Sequence, residues 1–252
     1  MESSKKSKNS KNSKKPKSSI EFEKITLTAS DFLARMEAVK KEKDQTILEI
    51  IAQDDSAEFI RQKAVKRLKN KAILEKIVFT DSNPNIRKTA VEKIENQKVL
   101  GSVAIMDDVY FVRRVAVEKL EDQAVLEKIA LSESDYINKG IAMEKLESQE
   151  ILEKIAINDS DFIIRGWAVE ELKNQDVIGK IALKDSESHV RYEAVRALKI
   201  QNVLEKVARI DSESYVRLEA VKKLKNRNVL EKIALNDSDS DVRKKALKKL
   251  KK

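Results

Sequence analysis

The sequence predicts an all-α protein, an α-solenoid built from about nine helix–helix repeats of 26 residues. An alanine recurs every 26 residues, at Ala38, Ala64, Ala90, Ala116, Ala142, Ala168, Ala194, Ala220 and Ala246. A cation precedes each alanine by three residues, an arginine in eight repeats and Lys139 in the fifth. A fixed period of this length is typical of stacked repeats, and the scarcity of glycine and proline, 4 and 2 residues, favours helices over strands.

The apolar residues of one repeat predict two helices. In the repeat around Arg217, the first apolar stripe has the helical spacing i, i+4, i+5, i+8 and consists of Val216, Ala220, Val221 and Leu224. A second stripe consists of Val229, Leu230, Ile233 and Ala234. We therefore predict a helix of about three turns followed by one of about two turns.

Polar segments predict where these helices begin and end. Asn226 and Asn228 interrupt the two stripes, and asparagine both tolerates the left-handed conformation and serves as an N-cap. We expect this joint to end the first helix and cap the second. Asp-Ser pairs precede the longer helices and are predicted to start them. These pairs are Asp81-Ser82, Asp159-Ser160, Asp185-Ser186 and Asp237-Ser238.

The charge distribution separates a tail from the repeats. The net charge of +9 is concentrated at residues 1–19, which hold seven lysines, and at residues 243–252, which hold seven cations. Residues 1–19 have almost no apolar side chains, so we predict a disordered tail. Residues 20–252 are predicted to form the solenoid, with Phe22, Ile25 and Leu27 in a partial leading helix. The tail is expected to bind phosphate or an acidic protein, to direct localisation, or only to aid solubility.

The pattern Asp-Ser-x-x-x-Val-Arg-x-x-Ala-Val-x-x-Leu resembles the second helix of HEAT repeats. The short repeat is also similar to the leucine-rich-repeat variant, which pairs a helix with a very short partner. The resemblance covers residues 20–252. It implies a superhelical scaffold that binds other macromolecules along the surface of its second helices.

Residue usage argues against several kinds of site. Cysteine is absent and His189 is the only histidine, which excludes a disulfide framework and a histidine-based metal site. The equivalents of His189 in adjacent repeats are Ile163 and Tyr215, so it is predicted to lie in a surface column. We expect no enzyme activity, no cofactor and no metal. No apolar run approaches 18 residues, which predicts a soluble, cytoplasmic protein without a membrane span.

An aspartate lies six residues before the recurring cation in most repeats: Asp55, Asp81, Asp107, Asp159, Asp185, Asp211 and Asp237. The cations could form a phosphate-binding ladder, or they could pair with these aspartates and fix the register of the stack. Matched opposite charges in nearly every repeat favour the ion pairs.

Three consecutive repeats depart from the polar surface pattern. In a helical projection, the positions two before and two after the cation point away from the core, and the position three before it lies on the flank. In the central repeats these positions hold Tyr110, Phe111, Val115, Tyr136, Ile137, Ile141, Phe162, Ile163 and Trp167, here called the central patch. An exposed apolar patch usually marks an interface, so the sequence predicts binding to another protein or to a second copy of this chain.

Two alternatives to this interface follow from the same residues. Asn138 replaces the usual Val or Ile of the core stripe, so Ile137 could rotate inward and the aromatic side chains could fill space. Gly140 and Gly166 instead favour the interface, because they remove side chains where another chain could approach closely. A rival function is nucleic-acid or acidic-partner binding through residues 1–19 and 243–252.

Overall fold

The computed structural model describes residues 32–132 and 135–251, and this part of the chain is helical without a strand. Its helices are α1 (Phe32–Lys41), α2 (Gln45–Asp54), α3 (Glu58–Arg67), α4 (Lys71–Thr80), α5 (Pro84–Val91), α6 (Gln97–Met106), α7 (Tyr110–Lys119), α8 (Gln123–Ser132), α9 (Tyr136–Glu144), α10 (Gln149–Asn158), α11 (Phe162–Glu171), α12 (Gln175–Lys184), α13 (Ser188–Ala197), α14 (Gln201–Ile210), α15 (Ser214–Lys223), α16 (Arg227–Asn236) and α17 (Ser240–Leu250). The predicted tail and the predicted leading helix, with Phe22, Ile25 and Leu27, lie outside the described residues.

The described residues fall into two compact units, 32–99 and, with a gap at 133–134, 100–251. In the first unit, α2 packs on α3, α4 packs on α5, and α3 contacts both α1 and α5. In the second unit each even-numbered helix from α8 onward packs on the odd-numbered helix that follows it, and consecutive odd-numbered helices pack on one another from α7 to α17. Stacked helix pairs of this kind make an α-solenoid, as the sequence predicts.

The recurring alanine explains how the odd-numbered helices pack. Every one of the nine alanines lies in an odd-numbered helix and is at most 3% exposed. Because a methyl group occupies little space, neighbouring helices of this row can approach closely there. The apolar stripe predicted for α15 is also buried, at Val216, Val221 and Leu224.

The predicted length of about three turns is right for α15, but α16 is longer than the predicted two turns, because each helix contains ten residues. Leu224 is buried but lies beyond α15 as its C-cap, in an extended conformation with φ −61° and ψ 142°. The helix therefore ends before the apolar stripe does. Asn226 is the N-cap of α16, and its side chain accepts a hydrogen bond from the Val229 N–H, which confirms the predicted cap. The left-handed joint is wrong, since no non-glycine residue in the described ranges has a positive φ.

The Asp-Ser pairs end one helix rather than start the next. Asp237 is the C-cap of α16, and its carboxylate accepts from the backbone N–H of Asp239 at 2.9 Å. Asp239 is the N-cap of α17 and accepts from the Asp241 and Val242 N–H groups at 2.9 and 3.1 Å. The predicted start signal is thus displaced by two residues, because the aspartate first has to turn the loop.

Each paired cation joins two repeats. Arg217 donates from Nε and Nη2 to the Asp237 carboxylate at 3.0 and 2.9 Å, and from Nη1 to the carbonyls of Asp211 and Ser212 at 2.8 and 3.1 Å. The hydrogen bonds with Asp237 raise the pKa of Arg217. The ion-pair interpretation is confirmed at Arg35–Asp55, Arg61–Asp81, Lys139–Asp159, Arg165–Asp185, Arg191–Asp211 and Arg217–Asp237.

A second connection between repeats is made by glutamine at the start of the even-numbered helices. Gln201 accepts from the Lys225 N–H at 2.9 Å and donates to the Lys223 carbonyl at 3.3 Å, so one side chain holds the next loop twice. Gln123, Gln149 and Gln175 make the equivalent pair of bonds. Backbone groups that the helix ends leave without a partner are thereby satisfied.

Replacing Gln201 by alanine is expected to lower the free energy of unfolding by about 1–3 kcal/mol, since two hydrogen bonds to the next loop are lost. Urea unfolding followed by circular dichroism measures the change. Asn202→Ala is the matched control, because Asn202 is exposed in the same helix. The control should stay within about 0.5 kcal/mol of the parent chain. Equal effects of the two variants would contradict the role of the glutamine.

Candidate interaction surface

The central patch lies on three consecutive odd-numbered helices of the second unit, α7, α9 and α11. Its largest exposed side chains are Tyr110 at 54%, Tyr136 at 56%, Phe162 at 41% and Trp167 at 37%. Ile137 and Ile163 are also exposed, whereas Phe111, Val115 and Ile141 are half-buried. The structure therefore brings all nine predicted residues to neighbouring helices and exposes six of them.

The order of exposure within the patch differs from the prediction. The flank position, three residues before the cation, is the most exposed one in α7 and α9, at Tyr110 and Tyr136. The position two residues after the cation is less exposed, at Val115, Ile141 and Trp167. For Trp167 the reason is a contact with the preceding odd-numbered helix. Trp167 shows this contact, with its ring centroid 6.2 Å from that of Tyr136 and an angle of 45° between the rings.

Gly140 makes room for Trp167, not for another chain. A Cβ atom at Gly140 would lie 3.0 Å from Cζ3 and 3.1 Å from Cε3 of the indole ring. Gly166 is likewise faced by this chain, because a Cβ there would lie 3.9 Å from Cδ2 of His189. The prediction that Gly140 admits a partner is wrong, because its absent side chain lets Trp167 of the next repeat pack closely. At Gly166, which is buried, a Cβ would make only ordinary van der Waals contact with this chain.

The repacking alternative is wrong for Ile137. Asn138 does occupy the core position and is 1% exposed, yet Ile137 remains 39% exposed and has not rotated inward. The Asn138 amide donates to the Tyr110 carbonyl at 3.3 Å, while its side-chain oxygen has no hydrogen-bond partner among the described residues. A buried polar atom without a partner costs stability, so the departure at α9 does not improve the core.

A cleft of about 220 Å³ opens between α9 and α11 at the edge of the patch. It is lined by Ile137, Gly140, Ile141, Met143, Glu144, Trp167, Glu170 and Glu171. One side is therefore apolar and shared with the central patch, and the other carries three glutamates. Burial raises the pKa of the Glu171 carboxyl, and the neighbouring Glu144 and Glu170 carboxylates raise it further.

Several odd-numbered helices end with a cation that contacts the preceding repeat, a feature that the sequence analysis missed. Near the end of odd-numbered helices, one cation donates to backbone carbonyls 25 to 28 residues earlier, at the end of the preceding odd-numbered helix. This lysine column, in which one member is an arginine, includes Arg67, Lys93, Lys145, Lys223 and Lys249. The signal in the sequence was a cation in the last helical turn, where it compensates the negative end of the helix.

Glu171 interrupts the lysine column. Lys145, one repeat earlier, donates to the carbonyls of Val117 and Glu118 at 3.3 and 2.7 Å. The residues equivalent to these carbonyls for position 171 are Met143 and Glu144, which line the cleft. An ionised carboxylate cannot donate a hydrogen bond. The end of α9 therefore faces a carboxylate where the ends of α7 and α13 face an ammonium group.

The sequence reasoning also missed an exposed apolar column on the even-numbered helices. It places one large side chain per helix near the helix end, at Phe79, Ile105, Leu131, Ile157 and Leu235. The signal was the apolar residue that follows the buried stripe in each of these helices. Because such a side chain recurs in helices of both units, it does not mark one place on the surface as the central patch does.

The remaining predicted features are placed as follows. His189 is exposed, and the centroid of its ring lies 6.2 Å from that of Phe162 in an edge-on arrangement. Within residues 32–132 and 135–251, no group of three His, Cys, Asp or Glu side chains is placed to hold a metal ion. None of the helices described is long and apolar enough to cross a membrane. In the basic segment 243–252, Arg243 donates to the carbonyls of Asp237 and Ser238, and Lys249 to those of Lys222 and Leu224.

No family model and no curated protein matches the chain. The X-ray structure of YibA from Escherichia coli is similar at 17% identity, covers 92% of each chain and has a TM-score of 0.39. A designed armadillo repeat protein is similar at 18% identity, covers 93% of this chain and 98% of its own, and has a TM-score of 0.26. The helical repeat architecture rests on this chain's own helices, and the HEAT resemblance stays a prediction from the sequence.

Proposed function

We propose that the protein is a non-enzymatic interaction scaffold that binds another protein, or a second copy of itself, through the central patch. The observation that carries this proposal is the exposure of large aromatic side chains on three consecutive helices of one row. The equivalents of Tyr110, Tyr136 and Phe162 in α13, α15 and α17 are serines. A contiguous exposed apolar patch usually marks an interface, and aromatic side chains dominate the energetics of interfaces.

The local packing of the patch also supports a binding role. Trp167 rests on the backbone of Gly140, so its ring is held while part of it remains in solvent. A large side chain that is already fixed loses little conformational freedom on binding. Trp167 is therefore the proposed anchor of the interface, with Tyr136 beside it.

Replacing Trp167 by glutamate is expected to abolish association, because it removes the anchor and puts a charge into the interface. Light scattering across a concentration series measures self-association, and affinity capture with identification of the retained proteins measures partner binding. Tyr215→Glu is the matched control, since Tyr215 is an exposed aromatic residue of α15 outside the patch. Association that survives Trp167→Glu, or that is lost equally in both variants, would reject the patch.

A second candidate function is nucleic-acid or acidic-partner binding through residues 1–19 and 243–252. The supporting observation is that Lys244 and Lys248 are exposed on α17. Binding of this kind releases counterions, so its affinity falls steeply as salt is raised. A fluorescent oligonucleotide titrated at low and high salt measures it, and salt-independent binding would exclude this function.

A further inference from the structure

We infer that the cleft between α9 and α11 binds a lysine or arginine side chain from a basic segment of a partner protein. The inference deepens the proposed function, on which it rests, because the cleft shares Ile137, Ile141 and Trp167 with the central patch.

The chain itself shows how an ammonium group binds at this place in a repeat. Lys145 and Lys223 insert their Nζ atoms beneath the preceding odd-numbered helix and donate to the carbonyls at its end. Burial lowers the pKa of Lys223, which agrees with an ammonium group held among protein atoms. Each such lysine is a local template for a cation at a helix C-terminus.

Position 171 is equivalent to Lys145 and Lys223 but holds a glutamate, which carries the opposite charge. Glu171, Glu144 and Glu170 all line the cleft. Oε1 of Glu170 lies 3.7 Å from Nη1 of Arg196, whereas Glu144 and Glu171 form no ion pair within 4.0 Å in the described part of the chain. The residue equivalent to Glu171 one repeat later is Ala197, which cannot donate a hydrogen bond from its side chain either but carries no carboxylate. The negative charge is therefore specific to the repeat that carries Trp167.

The shape of the cleft fits the stem of a long cationic side chain. Its apolar wall suits methylene groups, and the indole of Trp167 attracts a cation near its face. The volume of about 220 Å³ is smaller than the roughly 300–1,000 Å³ of typical small-molecule sites, so one side chain fits better than a larger ligand.

Charge also decides between possible occupants. A second copy that used the same surface in a two-fold pair would bring the same three glutamates towards each other. Like charges brought together in an interface oppose binding. A basic segment of another protein instead supplies the positive charge that the lysine column lacks here.

The test uses Trp167, the only tryptophan of the chain, as its reporter. Peptides in which leucine alternates with lysine, arginine or acetyl-lysine are titrated into the full-length protein while the tryptophan emission is followed. We expect the lysine and arginine peptides to bind, and the acetyl-lysine peptide to bind about tenfold more weakly or worse, because it cannot form a charge-assisted hydrogen bond.

Glu171→Lys is the deciding variant. It restores the residue type of Lys145 and Lys223, so the thermal midpoint should hold or rise while the affinity for the lysine peptide falls about tenfold or more. Glu231→Lys is the control, because it changes the charge equally at an exposed position of α16. Unchanged affinity in Glu171→Lys, or an equal loss in both variants, would overturn the inference.

Further arms separate this inference from the function on which it rests. If the acetyl-lysine peptide binds as well as the lysine peptide and Trp167→Glu abolishes both, the cation site is wrong and the patch stands. If Trp167→Glu leaves partner association intact, the proposed function itself fails. A full-length variant with the seven lysines of residues 1–19 changed to serine should bind the lysine peptide as the parent does. Tighter binding would show that this chain's own segment occupies the cleft, which would overturn the partner assignment.

Discussion

Replacing Leu204 by alanine is expected to lower the free energy of unfolding by about 2–5 kcal/mol, the range found when a fully buried leucine leaves a cavity. Leu204 is 0% exposed in α14, in the layer where the even-numbered helices face the odd-numbered ones. Neighbouring helices of a close-packed stack cannot collapse fully around the missing atoms. Urea unfolding of the parent and the variant, followed by circular dichroism, measures the loss.

The control for Leu204→Ala is Leu235→Ala, the same substitution at a leucine of α16 that is 79% exposed. We expect the control to change the free energy of unfolding by no more than about 0.5 kcal/mol, because the exposed side chain loses little contact. Similar losses in the two variants would mean that the buried layer is misplaced. Because repeat stacks can unfold in stages, the slopes of the transitions are compared along with their midpoints.

Replacing Arg217 by methionine is expected to lower the free energy of unfolding by about 3–5 kcal/mol, since it leaves the Asp237 carboxylate buried without its partner. The side chains of the pair are only 9% and 6% exposed, and Arg217 also holds the carbonyls of Asp211 and Ser212. The control is Arg227→Met, which removes an exposed pair with Glu231 and should cost less than about 1 kcal/mol. Adding Asp237→Asn to Arg217→Met should recover part of the loss, because no buried charge remains.

The effect of Arg217→Met depends on pH in a defined direction. Burial raises the pKa of Asp237, but the hydrogen bonds from Arg217 and from the Asp239 N–H outweigh burial and hold it below its ordinary value of 3.8. A lowered pKa contributes stability that is present above 3.8 and is lost as the pH falls through the folded-state value. The difference between parent and variant should therefore shrink below pH 3.8. A difference that stays constant down to that range would contradict the ion pair.

The departures of the central repeats concentrate in α9 and α11. Asn138 leaves a buried oxygen without a hydrogen bond, Glu171 breaks the lysine column, and Gly140 replaces a better helix former. Each of these residues is less favourable for a stack than those at equivalent positions. Gly140 and Glu171 line the cleft with Trp167, and Asn138 lies in the same helix as Gly140, which is the pattern expected where a binding site is maintained at some expense of stability.

The sequence was sufficient for the features that depend on spacing. A 26-residue period places Ala142 and its equivalents on one helical face, and a methyl group at that face allows helices to stack. The cation three residues earlier reaches the aspartate of the next repeat for the same reason, because a constant period gives each pair the same geometry. The nine patch residues were also found in this way, as a break in a periodic surface.

Only the tertiary structure decided the features that depend on contacts between repeats. The sequence shows that Gly140 lacks a side chain but not that the ring of Trp167, 27 residues later, occupies the space. It shows a glutamate at position 171 but not the carbonyls towards which equivalent lysines point. The physical reason is that periodicity sets the direction of a side chain on its own helix. Its neighbours are set by the distance and rotation between one helix and the next.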